Sequence, residues 1–217
     1  FIEERGDLDP AWLKELRQSA FNRFRELGFP TIRHEDWKYT NASHIVDKNF
    51  ERSTGLAPVS KKDAEKFAFP GLECHTLVFV NGYYSEELSS VGDLPKGAKV
   101  TTVSKALEED PELLRRQYGQ YSDYQNNVFV AQNIAFSSDG AFIHLPRGVV
   151  VEQPIHLLFI STAGEKATAG YTHNLVMAEE VSQASVIENY VSIGEGTTLT
   201  SVAAEVVLDK GANLDWY

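Results

Sequence analysis

Thr198-Leu-Thr-Ser-Val-Ala-Ala-Glu-Val-Val-Leu208 is the stretch on which the fold turns. Val202, Ala204, Val206 and Leu208 share one side of an alternating run, and Ser201, Glu205 and Asp209 take the other. That is the period of a β-strand with one buried face. Leu214 and Trp216 continue the pattern against Asn213 and Asp215. Working back toward the amino end, short runs of the same character cover 184–193, 174–177, 155–161, 149–151 and 141–145, separated by Gly, Ser, Asp and Pro turns. The change of character falls near residue 126, where Val128, Val130, Ile134 and Phe136 alternate with Gln132 as the exception.

A weak internal repeat runs through this half. Ala184-Ser-Val-Ile-Glu-Asn189 is echoed by Ala212-Asn-Leu-Asp-Trp-Tyr217, and each follows an acidic turn, Glu179-Glu180 or Asp209-Lys210. A repeat of this kind, carrying two or three short strands, suits one coil of a β-helix, where each coil buries its face on the next. An antiparallel sandwich is the structural alternative, disfavoured by the scarcity of Asn-Gly hairpin turns.

The first part of the chain reads differently. Asp9 and Pro10 start a helix that Gly28 and Pro30 stop, and Trp12, Leu13, Leu16, Ala20, Phe21, Phe24 and Leu27 give it an apolar face. Lys14, Arg17, Arg23 and Glu26 fall elsewhere on it. Residues 61–67 read as a short helix and 76–84 as a strand, with Asn81-Gly82 a tight turn near its end. Asp110-Pro111-Glu112 opens another helix. These signals divide the chain into a helical region (1–75), a mixed α/β connection (76–125) and a β-helix (126–217), cut short on its C-terminal side.

The formal net charge of −11 over 217 residues opposes nucleic acid or an anionic membrane as the main partner. Cys74 is the single cysteine, so no internal disulfide forms. No apolar run has the length of a membrane span, and residues 1–7 lack the basic and apolar segments of a signal peptide. The expected location is cytoplasmic.

No residue is assigned a catalytic, cofactor-binding or metal-binding role. Cys74-His75 pairs two soft-metal ligand types, but adjacent side chains point apart and no further ligands stand at metal spacing. His144 and His156 fall on strands and are expected to be neighbouring wall residues rather than ligands. Trp37-Lys38-Tyr39 reads as an aromatic anchor holding the helical segment to the solenoid. Arg147-Gly148 and Gly194-Glu195-Gly196 read as turns, since a phosphate loop would need GxxxxGK[ST]. Glu188, Glu205, Asp209 and Asp215 read as a solvated outer face, not as the carboxylate cluster of a sugar-cleaving solenoid.

Several strings resemble one known family in order. Arg33-His-Glu-Asp-Trp-Lys-Tyr-Thr40, Phe79-Val-Asn-Gly-Tyr-Tyr-Ser85, the block from Asp139-Gly-Ala-Phe-Ile-His-Leu-Pro146 to Phe159, and His173-Asn-Leu-Val-Met177 are similar to signatures of the SufB/SufD family, and most closely to its SufD branch. The resemblance implies a right-handed parallel β-helix, mainly β, preceded by an N-terminal helical region. It implies a non-enzymatic scaffold of the SUF iron–sulfur cluster assembly system. Such a subunit pairs with a SufB-like paralogue through the β-helix and with a SufC-like ATPase through a C-terminal segment. The complex handles the cluster and the ATPase uses ATP; no cofactor is implied within this segment. A polysaccharide-modifying β-helix enzyme and a self-assembling structural solenoid are the competing readings, and a homodimer is compatible with the last.

Overall fold

Pro10 and Gly28 bracket the first helix as their backbone chemistry requires, with Ala11–Leu27 (α1) between them. The computed structural model describes residues 9–162 and 164–217; the reading of residues 1–7 as lacking a signal peptide lies outside them. In chain order follow α2 (Ser43–Asp47), β1 (Glu51–Arg52), α3 (Lys61–Glu65), β2 (His75–Val80), β3 (Tyr83–Tyr84), β4 (Lys99–Thr102), α4 (Val103–Glu109), α5 (Pro111–Gln117) and α6 (Val128–Phe136). The remaining strands are β5 (Ala141–Leu145), β6 (Ile155–Thr162), β7 (Thr168–Ala178), β8 (Gln183–Ile193), β9 (Thr198–Leu208) and β10 (Asn213–Trp216). The chain is mixed α/β with a helical N-terminal part, not mainly β. Among the described residues no helix is long and apolar enough to cross a membrane.

From β5 onward successive strands alternate between two sheets. β5, β7 and β9 pair in parallel in the first, and β6, β8 and β10 in the second. The registers Phe142↔Leu175, Ile155↔Val186, Thr168↔Thr198 and Ala184↔Leu214 give the stacked strands a nearly constant offset along the chain. Ala184 therefore lies beside Leu214, not Ala212. A slip of two positions leaves every side chain on its own face, so the sequence pattern could not reveal it. The earlier strands extend both sheets: β1 pairs with β7 and β4 with β5 in the first, β2 with β6 in the second. β2 turns into β3 through Asn81 and Gly82, both at positive φ, as an Asn-Gly hairpin requires.

The space between the sheets holds the largest core, including Leu77, Phe79, Ile143, Leu145, Ile155, Leu157, Phe159, Val176 and Val186. Both outer faces are covered as well. Phe142, Leu175 and Met177 meet Leu13, Ala106 and Leu114 of the helices, while Leu158 and Ile160 lie with Val78 and Val80 under Ala64. Strands buried on both faces lose the apolar–polar alternation, which is why β6 and β7 are buried almost end to end.

Val128–Phe136 is a helix where alternation predicts a strand. Val128, Ala131, Ile134 and Ala135 also recur at three- and four-residue spacing, and all are buried. Asn127 decides between the two periods: its side chain accepts from the amides of Phe129 and Val130, the signature of an N-cap.

Where the strands leave the first sheet for the second, three turns stack. Gly148 donates to the Glu180 carbonyl and Val181 to that of Lys210, so Gly148, Val181 and Gly211 occupy one column. All three have positive φ, of 73°, 63° and 72°. For a β-branched residue this is a strained backbone, and Val181 is too exposed to regain that energy by packing. Val181→Gly is expected to stabilise the protein by about 0.5–1 kcal/mol, the strain relieved exceeding the added chain entropy of the unfolded state. Urea unfolding checks this, and an unchanged or lower midpoint would contradict it.

Candidate functional site

None of the residues that the sequence offers for chemistry come together. Cys74 is a half-buried free thiol whose Sγ lies 3.9 Å from the Leu72 carbonyl, and burial pushes its pKa up. His75 is occupied elsewhere and accepts at Nδ1 from the Gly92 amide, 3.2 Å away. His144 and His156 are not neighbours: β5 and β6 belong to different sheets. Nε2 of His144 donates to Glu179 Oε1 at 2.9 Å, and this bond, with the Arg147 amide, holds the Glu179 carboxyl below the usual range. His156 lies against the Phe69 ring at 5.0 Å, where burial lowers its pKa.

Trp37 is an anchor, but within the helical part. Its ring lies 5.1 Å from that of Phe129 on α6, while Tyr39 is 92% exposed. Gly194 and Gly196 belong to the turn between β8 and β9, and Arg147 pairs with Glu180 across the stacked turns at 3.1 Å. Among the described residues no group of three or more His, Cys, Asp or Glu side chains is placed to hold a metal ion.

The carboxylates separate by strand face. Asp215 is exposed, and Glu188 turns inward to accept from Asn174 Nδ2 (3.3 Å) and the Tyr190 hydroxyl (2.7 Å). Glu205 is not on a solvated face. It is 2% exposed and sits under the α5–α6 connection, where Oε2 accepts from the Gly119 amide (2.8 Å) and Oε1 from the Ser122 amide (3.0 Å). Nε2 of His173 lies 3.6 Å from Oε1, an electrostatic contact too long for a hydrogen bond. Burial alone would raise the Glu205 pKa. The His173 contact and the two amides outweigh it and leave the carboxyl below its ordinary value.

Glu205 is one end of a buried polar seam that the sequence does not announce. Asn133 of α6 donates through Nδ2 to the carbonyls of Thr172 (2.9 Å) and Ser201 (3.0 Å), and its Oδ1 accepts from His173 Nδ1 (2.9 Å). The Tyr118 ring covers the imidazole at 4.6 Å, and burial pushes the phenol up to about 12. Beyond it Arg17 is 3% exposed. Its Nε donates to Asp9 (2.8 Å), and its Nη1 meets the carbonyls of Ile134 (3.0 Å) and Ser137 (2.9 Å) at the C-terminal end of α6. A cation at that end satisfies orphan carbonyls and complements the helix dipole. The seam bolts α1 and α6 onto β7 and β9; apart from His173 Nε2, which makes no hydrogen bond, its polar side chains are bonded to one another or to backbone, so it reads as structural joinery. Arg17 is one of three arginines on α1, so nothing in the sequence sets it apart as part of this seam.

Comparison with known proteins points to one family. The model of the SufBD protein N-terminal region covers residues 6–157. A SufBD-family iron–sulfur cluster assembly protein of Synechocystis is 28% identical over 210 residues, which are 93% of this chain and 46% of that protein. The iron–sulfur cluster assembly proteins SufD of Bacillus subtilis and Escherichia coli are 26% and 28% identical, over 96% and 91% of this chain and 48% and 44% of their own lengths. The chain thus spans about half the length of the relatives it matches. With the family's N-terminal region matched over well more than half of its residues, this chain belongs to the SufBD family.

Proposed function

We propose that this chain is the N-terminal and central part of a scaffold subunit for iron–sulfur cluster assembly and has no catalytic activity of its own. The observation that carries the reading is the family match over residues 6–157, joined to relatives named as SufD proteins. The strand half is proposed to be a right-handed parallel β-helix. Supporting this, β5 to β10 alternate between two sheets in parallel registers whose offset stays nearly constant, as in stacked coils. The division into a helical region (1–75), a mixed connection (76–125) and the β-helix (126–217) is kept as part of the same proposal. Its partners are a SufB-like paralogue, met through the β-helix, and a SufC-like ATPase, met outside these 217 residues. The cluster is cargo of the complex, and the compartment is the cytoplasm.

Co-purification with tagged SufB-like and SufC-like subunits tests this. Capture of the SufB-like subunit by this chain, with the ATPase retained only by the full-length protein, is the expected result. If the folded full-length protein captures neither, the scaffold reading fails and a self-assembling solenoid takes its place.

A further inference from the structure

β4 is an edge strand whose outer side has been left unfinished. Among the described residues it pairs only with β5, in antiparallel register. Val103 donates to the Gly140 carbonyl at 2.8 Å, which fixes the alternation: Thr101 and Lys99 exchange their bonds with β5, and Val100 and Thr102 turn theirs the other way. The amide and carbonyl of Val100 and the amide of Thr102 have no partner among the described residues. Yet both residues are buried, at 6% and 5% exposure. Buried backbone groups are almost always paired, so a row of three on one edge marks a place where a partner belongs.

The unpaired edge borders a cleft of about 1230 Å³, whose other wall carries β3, itself the outermost strand of the second sheet. Tyr84 and Leu94 supply apolar wall there. Of the carboxylates lining it, Asp9 is paired with Arg17 and Asp139 accepts from the Ser104 and Gly140 amides, which leaves Glu86, Glu108 and Glu109 beside Lys99 and Lys105. Lys99 is taken by Glu109 at 3.1 Å, whereas Glu86 and Glu108 are exposed at the rim.

We propose that this cleft takes an extended basic peptide segment, which adds to β4 as a further strand. The three backbone groups supply its main-chain bonds, alternate apolar side chains lie against Tyr84 and Leu94, and Lys or Arg side chains meet Glu86 and Glu108. A short, charged edge suits a selective partner rather than indiscriminate aggregation.

The test uses the whole chain and a fluorescein-labelled Lys-Val-Lys-Val-Lys-Val-Thr peptide. Saturable binding is expected. Methylating alternate amides of the peptide should weaken it at least tenfold, as should Glu86→Lys with Glu108→Lys in the protein. Hydrogen exchange at the Val100 and Thr102 amides should slow when the peptide binds, while Thr101, already bonded to β5, should not change. Equal binding of the methylated peptide, or unaltered exchange at Val100 and Thr102, overturns the added strand. Equal binding of a Glu-for-Lys peptide overturns the basic class of ligand.

Discussion

Gly140→Ala is expected to lower the stability of the protein by about 3 kcal/mol or more, or to leave it unable to fold. A Cβ placed on Gly140 would stand 1.9 Å from the carbonyl oxygen of His173 and 2.4 Å from its carbon. A flexible side chain could swing away from such a contact, but this is backbone, and it is held on several sides. His173 donates its amide to the Asp139 carbonyl at 3.0 Å, and Ala141 donates to Asn174 Oδ1 at 2.8 Å. Moving either chain would part β5 from β7 at the start of their ladder. Gly55→Ala is the matched control, since nothing lies within 4 Å of its added Cβ. Chemical denaturation of the two variants checks the difference, and equal midpoints would refute the close approach.

The second large effect is expected at Glu205. Glu205→Gln keeps the shape but removes the charge and sets an NH₂ against one of the two donating amides, at a cost of about 2–4 kcal/mol. The pH dependence separates this from a general packing defect. The folded-state pKa lies below the ordinary value of 4.5. The carboxylate therefore contributes its full stabilisation above that value and loses it as the pH falls through the folded pKa. The wild type should lose stability on acidification below about 4.5, and the gap to Glu205→Gln should narrow there. A gap that stays constant from neutral pH into that range would show that the charge is not what matters.

The strand half of the fold is legible because turns and apolar runs mark it plainly. β9 begins and ends where the alternating pattern of 198–208 does. What the pattern cannot give is which face meets solvent. Sheets in this chain are covered on both sides, so Glu205, polar and next to Val206, looks solvated while lying under the α5–α6 connection. Arg17 is hidden for the same reason, a charge among polar helix positions whose partner Ser137 lies far along the chain. α6 misleads because so short a segment fits two periods, and only its cap separates them. The stacking register escapes because a two-position slip preserves faces. The candidate edge at β4 leaves no trace, since unpaired backbone groups have no side-chain signature.

The partnership of β2 with β6 has a consequence during synthesis. Val80 is joined to Ile160, so His75-Thr-Leu-Val-Phe-Val80 leaves the ribosome well ahead of the strand that covers it. At the usual pace of translation that is a wait of roughly 4–16 s. For that time a short, β-prone segment without Asp, Glu, Lys or Arg is bare in the nascent chain, the kind of sequence that seeks strands in other molecules. α3, made just before it, covers one face through Ala64, but α4 and α5, made in the interval, gather with α1 on the far side of the other sheet. Its safety at birth rests on the prompt closing of the Asn81-Gly82 hairpin, which gives β2 a local partner in β3.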